Sequence, residues 1–292
     1  MTTDPYTRIM SLPDTYGIKP IIRHWKTLSE NLERMPNGMP VLLPDLLLVA
    51  EYGVGRTHVL DLISDFLTVQ SNLMDFYGDV KYFEFFLRYC PPDQKFTEFS
   101  QLIGAVSDAA GFRSEYRGII SIDINEWLGH CEEKHFLDLL EYLADHSDHW
   151  LIIFTVPNAD EKKLNTLEGI LSMFLRIEKA ELKYPASNVL FQYVNDILAQ
   201  YGIVLENNAK TLLTASIEKL RDSKYFDGYK TLDILSLDII YKIYSSKTYR
   251  KHVVTTEELM AFAEDGYYIR TRIQSNQKKN SYTIGFTGGS AE

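Results

Sequence analysis

The sequence predicts an α/β fold: a parallel sheet of five strands flanked by helices, with a small helical domain behind it. Three observations predict it. Short β-rich runs alternate with helical periodicity from about Ile18 to Ile177, the pattern of strands and crossover helices wrapped on a parallel sheet. The first apolar run ends in a glycine loop that opens directly into helical periodicity. After Leu182 the β-rich runs stop and helical stretches follow.

In chain order, residues 1–40 read as an N-terminal helix, Ile21–Glu33, and a linker whose Pro/Gly-rich turn is Met35–Pro40. Residues 41–182 form the α/β domain. Its first strand, Leu46–Ala50, runs into the loop Tyr52–Gly55, and a helix follows with Val59, Leu60, Ile63, Phe66 and Leu67 on one stripe. Further strands read at Val80–Leu87, Gly118–Asp123, Trp150–Val156 and Phe174–Glu178, with helical segments at Phe96–Ala110, Glu132–Ala144 and Glu161–Met173. Residues 183–252 read as a helical domain, with helices at Ala186–Gln200, Asn207–Lys219 and Tyr229–Tyr244. In the C-terminal extension, 253–292, the alternating runs Tyr267–Ile273 and Ser281–Phe286 flank the polar turn Ser275–Asn280 as a β-hairpin would, and Gly288–Glu292 reads as a disordered tail.

Composition narrows the function. With 292 residues the chain can bury a full core in about two domains. A formal charge of −10 provides no basic face for a phosphate backbone, so nucleic acid is not expected as a partner. The only cysteines are Cys90 and Cys131 and no charged-then-apolar leader opens the sequence, which leads to an expectation of the reducing cytoplasm. The longest apolar stretch, Val41–Ala50, is broken by Pro44 and Asp45 and falls short of the roughly 20 residues of a membrane helix, so no membrane association is expected.

Two motifs carry chemistry. A phosphate loop needs glycines that let backbone N–H groups turn inward, a lysine for the outer phosphates, and a hydroxyl for magnesium. Ala50 to Thr57 has that spacing, with Ala50 in place of the first glycine and Arg56 in place of the lysine. Gly53, Val54, Gly55, Arg56, Thr57 and His58 are the candidate nucleotide contacts. Arginine keeps the charge but is a planar fork rather than a point charge. On their own, Gly53 and Gly55 fit a plain tight turn equally well. The second motif is the apolar strand Gly118–Asp123, which ends in an acid as a Walker B strand does; Asp123 and Thr57 are the candidate magnesium ligands. A general base is expected directly after that acid, but Ile124 stands there and can accept no proton; Glu126 lies two residues on.

The order of these motifs resembles AAA+ ATPases of the branch containing red-type Rubisco activases, the stage V sporulation protein K family and type VII secretion ATPases. That branch reads Gly-Asn-Pro-Gly-Thr-Gly-Lys-Thr over Ala50–Thr57 and hydrophobic-Ile-Asp-Glu-Ala over Ile122–Asn125. The resemblance implies an AAA+ P-loop NTPase domain with a helical lid, binding ATP or ADP with magnesium. It also implies a sensor 1 at Thr155 or Asn158, within Leu151–Asn158. Its arginine finger position, in Ile170–Phe174, is Met173, with Arg176 nearby. Its sensor 2 segment falls on Phe226–Lys230, where Lys230 takes the arginine's place, and the arginine expected one turn later is Asp233. Glu126, Thr155 and Asn158 are therefore the candidate catalytic groups.

With the lysine, glutamate, finger and sensor arginine all replaced, the expectation is a nucleotide-binding or scaffolding subunit with weak or no hydrolysis. It would act with protein partners in a homo- or hetero-oligomer. The alternatives are an active ATPase that remodels a protein, and an interaction module without nucleotide. Other groupings read as ordinary structure. His130, Cys131, Glu132, Glu133 and His135, like His146 and His149, lack the second ligand pair of a zinc site. Tyr82–Tyr89 reads as a buried strand, and Arg270, Arg272, Lys278 and Lys279 as a solvated hairpin.

Overall fold

A computed structural model describes residues 4–34, 43–73, 82–97, 100–101, 118–145, 150–223, 226–245, 253–257 and 259. The chain divides into two compact units, Met1–Tyr184 and Pro185–Glu292.

The first unit opens with α1 (Pro5–Met10), whose N-cap Asp4 accepts from the Thr7 backbone N–H, and α2 (Ile18–Leu32). Then follow β1 (Asp45–Ala50), α3 (Arg56–Val69), β2 (Tyr82–Phe86), β3 (Gly118–Asp123), α4 (Lys134–Asp145), β4 (Trp150–Val156), α5 (Glu161–Phe174) and β5 (Ile177–Leu182). All five strands are parallel, in the order β2-β3-β4-β1-β5.

Alternation along each central strand feeds two separate cores. Leu46 and Leu48 of β1, Ile119 of β3, and Leu151 and Ile153 of β4 pack with α1, α2 and α3 through Ile9, Trp25, Val59, Leu60, Ile63 and Phe66. Leu47 and Val49, Ile120 and Ile122, and Ile152 and Phe154 pack on the other face with Phe136, Leu140, Leu164 and Leu171 of α4 and α5. The sheet is therefore buried on both sides, which is why its central strands read as continuous apolar runs.

The fifth strand is placed differently from its sequence reading. Helix α5 continues through Phe174, and β5 begins only at Ile177, because Leu167 and Leu171 extend the buried stripe of the helix. Arg176 sits exposed between them, directly before β5. The strand read over Val80–Leu87 is an edge strand, half buried rather than buried, with Phe86 exposed. Most of the helix read over Phe96–Ala110, both histidines His146 and His149, the turn Met35–Pro40 and the C-terminal hairpin with Arg270, Arg272, Lys278 and Lys279 lie outside the described residues.

The second unit has its own core. Helices α6 (Ser187–Gln200), α7 (Asn207–Arg221) and α8 (Gly228–Ser245) close on Leu190, Val194, Leu198, Leu213, Ile217, Leu232 and Ile239. Two short strands, β6 (Val204–Leu205) and β7 (Val253–Val254), pair in parallel beside them. No helix among the described residues is long and apolar enough to cross a membrane.

Candidate nucleotide site

The loop between β1 and α3 turns on two glycines in left-handed backbone conformations, Gly53 at φ 71° and Gly55 at φ 94°. These are angles that a side chain disfavours by about 1–2 kcal/mol. Gly55 is the N-cap of α3 and offers no side-chain cap, so the first N–H groups of the helix and its positive dipole end keep the character of an anion site. Val54 is buried and plugs the loop into the α3-side core; Thr57 and His58 are exposed on the first turn.

Two tyrosines hold the loop from outside. The Tyr16 hydroxyl donates to the Val54 carbonyl, and the Tyr184 hydroxyl donates to the Tyr52 carbonyl. The Tyr184 backbone N–H donates to the Glu51 carboxylate at 3.1 Å.

Strand alternation sets the opposite wall. Glu84 pairs in register with Ser121, and Asp123 with Thr155, so these side chains leave the sheet on the face that carries α3. Arg56, on the first turn of α3, reaches across to them. Its Nη1 donates to Asp123 Oδ2 at 2.8 Å and to Thr155 Oγ1 at 3.2 Å, and its Nη2 donates to Glu84 Oε1. One guanidinium thus ties α3 to β2, β3 and β4. Charged hydrogen bonds of this kind are each worth roughly 1.5–3 kcal/mol when dry, and less here because the Arg56 side chain remains 25% exposed.

The candidate catalytic groups are not gathered in one place. Thr155 lies fully buried in the Arg56 cluster. Asn158 is exposed in the bend after β4. Glu126 sits in a short 3₁₀ turn, Asn125–Trp127, with Oε2 accepting the Tyr89 backbone N–H at 2.9 Å. Ile124, directly after Asp123, is completely buried in the core under α4 and α5. Met173 is 75% exposed at the end of α5. In the second unit, Lys230 pairs with Asp227 at 3.6 Å and Asp233 accepts the Tyr193 hydroxyl at 2.7 Å.

A magnesium ion held as the Walker B resemblance implies would need the Asp123 carboxylate for its water shell. Here Oδ2 is held by Arg56 and Oδ1 accepts the Asn125 N–H at 3.1 Å. A divalent cation beside Asp123 would meet a guanidinium already at ion-pair distance. As arranged, these residues do not fit magnesium.

Glu84, Tyr16 and Tyr184 were not singled out from the sequence. Glu84 had a signal, as the only charge in the apolar run Tyr82–Phe86. The tyrosines had none, since nothing local marks a hydroxyl that bonds a distant loop. The histidine group forms a small surface cluster: His130 Nδ1 lies 2.6 Å from Glu133, the His130 ring stacks on Tyr89, and the His130 contact holds the Glu133 carboxyl below its usual range. No group of three or more potential metal ligands occurs among the described residues.

No protein-family model matches the sequence, and no curated protein does. Solved structures do. The ORC1 protein of Aeropyrum pernix, in complex with DNA, is similar over 92% of this chain and 68% of its own, with 16% identity and a TM-score of 0.51. A RuvB variant from Thermotoga maritima is similar over 85% of this chain and 68% of its own, with 14% identity and a TM-score of 0.50. Together with the sheet order, this likeness shows the fold and no more: the chain has the α/β fold of AAA+ P-loop NTPases.

Proposed function

We propose that the chain is an AAA+-fold subunit of the branch its motifs resemble, with weak or no ATP hydrolysis, serving as a nucleotide-binding or scaffolding component of a protein assembly. The observation that carries this reading is the place of the base. Ile124 stands there, buried, while the next acid, Glu126, is committed to the Tyr89 backbone. Hydrolysis needs a group that positions and deprotonates water, and a base displaced by even one turn of chain loses the alignment on which its contribution of roughly 10²–10⁴ depends. Met173 at the finger position removes a further contribution of about 10³ or more, the scale on which an arginine finger acts.

The uncapped N-terminus of α3 still favours an anion, which supports retained phosphate binding. The helical second unit is read as the lid, with Lys230 as its candidate sensor 2 cation. The ORC1 neighbour is in complex with DNA, but this chain's charge of −10 favours protein partners, in a homo- or hetero-oligomer. Two buried cysteines, Cys90 and Cys131, suit a reducing cytoplasm.

Phosphate release from ATP and magnesium tests the reading. The wild type is expected at the background rate, and Asp123→Ala leaves that rate unchanged. Turnover that Asp123→Ala abolishes would overturn the reading in favour of an active ATPase. Calorimetric titration with a non-hydrolysable ATP analogue separates a nucleotide-binding subunit, which gives heat, from a scaffold, which gives none at millimolar ligand.

A further inference from the structure

We propose that Arg56 is the resident cation of this site: it occupies the electrostatic place of magnesium, and straps α3 to the sheet without metal. Three features of the cluster lead to this. The guanidinium is shared between two carboxylates from different strands, Asp123 on β3 and Glu84 on β2, and the Thr155 hydroxyl on β4. Those acceptors stand side by side on the α3 face because of the register Glu84↔Ser121 and Asp123↔Thr155. A lysine ammonium is a single point of charge and holds one such partner well, whereas the planar fork presents several N–H groups at fixed angles and spans two.

Glu84 is the second, independent sign. A carboxylate in the middle of an aromatic edge strand, 23% exposed at its side chain, is costly unless a cation meets it. Arg56 and Glu84 therefore read as one pair: the guanidinium reaches from the first turn of α3 to an acid placed on β2 to receive it. The two carboxylates and one guanidinium carry a net charge of −1, a balance that removing the arginine turns into an uncompensated −2. Such a pair of acids, opened to solvent, is a site for a divalent cation. The wild type should therefore be indifferent to magnesium, and loss of Arg56 should create a metal dependence that the natural chain lacks. This inference concerns metal alone and stands apart from whether hydrolysis is lost.

The test is thermal unfolding of the full chain, without nucleotide, in EDTA and in millimolar Mg²⁺ or Mn²⁺. The wild-type midpoint is expected to stay within about 1 °C across these conditions, as for a protein with no site for the ion. Arg56→Met is expected to unfold at a lower temperature in EDTA and to recover toward the wild type when either metal is added. Glu84→Gln or Asp123→Asn, combined with Arg56→Met, should abolish that recovery. If Arg56→Met does not fold, Arg56→Lys replaces it, with a partial metal response expected. A wild type stabilised by metal as strongly as the variants overturns the proposal. So do Arg56 variants that are folded and blind to metal.

Discussion

At the residue scale the chain places two acids in opposite circumstances. Asp123 is answered by a guanidinium, whereas Asp45, 5% exposed at the start of β1, has the Ile152 backbone N–H at 2.7 Å as its hydrogen-bond donor. Burial pushes the Asp45 carboxyl up to about 7, and the Ile152 N–H offsets this only in part. The folded pKa lies above the unfolded value of about 3.9, so between those two values the folded chain holds a proton that the unfolded chain has lost. Stability from this group is therefore present at low pH and falls as pH rises through that window, by on the order of 4 kcal/mol at most. Asp45→Asn keeps an acceptor for Ile152 and removes the titration. In denaturant unfolding, the variant should gain on the wild type steadily from pH 4 to pH 7; a difference that is flat with pH would refute this account. Sequence reading saw Asp45 only as an interruption in an apolar run, because burial of a strand's first residue depends on neighbours from β4 that are distant in sequence.

At the element scale the α3 loop joins local and distant determinants. Its glycines were legible, since Gly53 and Gly55 at that spacing after a strand permit few other backbones. Gly55→Ala would place a Cβ on a residue at φ 94° and is expected to destabilise the chain by about 1–2 kcal/mol, measured by denaturant unfolding. An unchanged midpoint would mean that the loop relaxes at no cost. The hold on the loop was not legible. Tyr16 reaches Val54, and Tyr184 reaches Tyr52, across long stretches of chain, and only the finished sheet brings those hydroxyls to the loop. The fifth strand shows the same limit. Phe174 to Glu178 has strand-like composition, yet the stripe ending in Leu171 carries the helix through Phe174 and delays β5 to Ile177. Propensity gave way to packing there.

At the scale of the whole molecule, the fold class followed from the alternation of apolar runs and helical stripes. A sheet covered on both faces writes its central strands as unbroken hydrophobic segments such as Trp150–Val156. The candidate site was legible as positions and not as contacts. Arg56 and Asp123 are nameable as candidates from the sequence, but their direct pairing and the contact with Glu84 depend on strand register, which no local pattern encodes. The second unit's separate core predicts separable stability. Leu198→Ala, at a fully buried position of α6, should cost about 2–5 kcal/mol and lower a calorimetric transition of that unit while the transition of the α/β unit stays in place. A uniform shift of all unfolding would contradict a second-unit core that melts by itself. The acid of β3 belongs to Arg56 and not to a metal. Anomalous diffraction from crystals of the full chain grown with manganese and an ATP analogue tests this pairing. No manganese peak is expected beside Asp123, with the Arg56 guanidinium still between Asp123 and Glu84. A peak there, with Arg56 swung away, would contradict it.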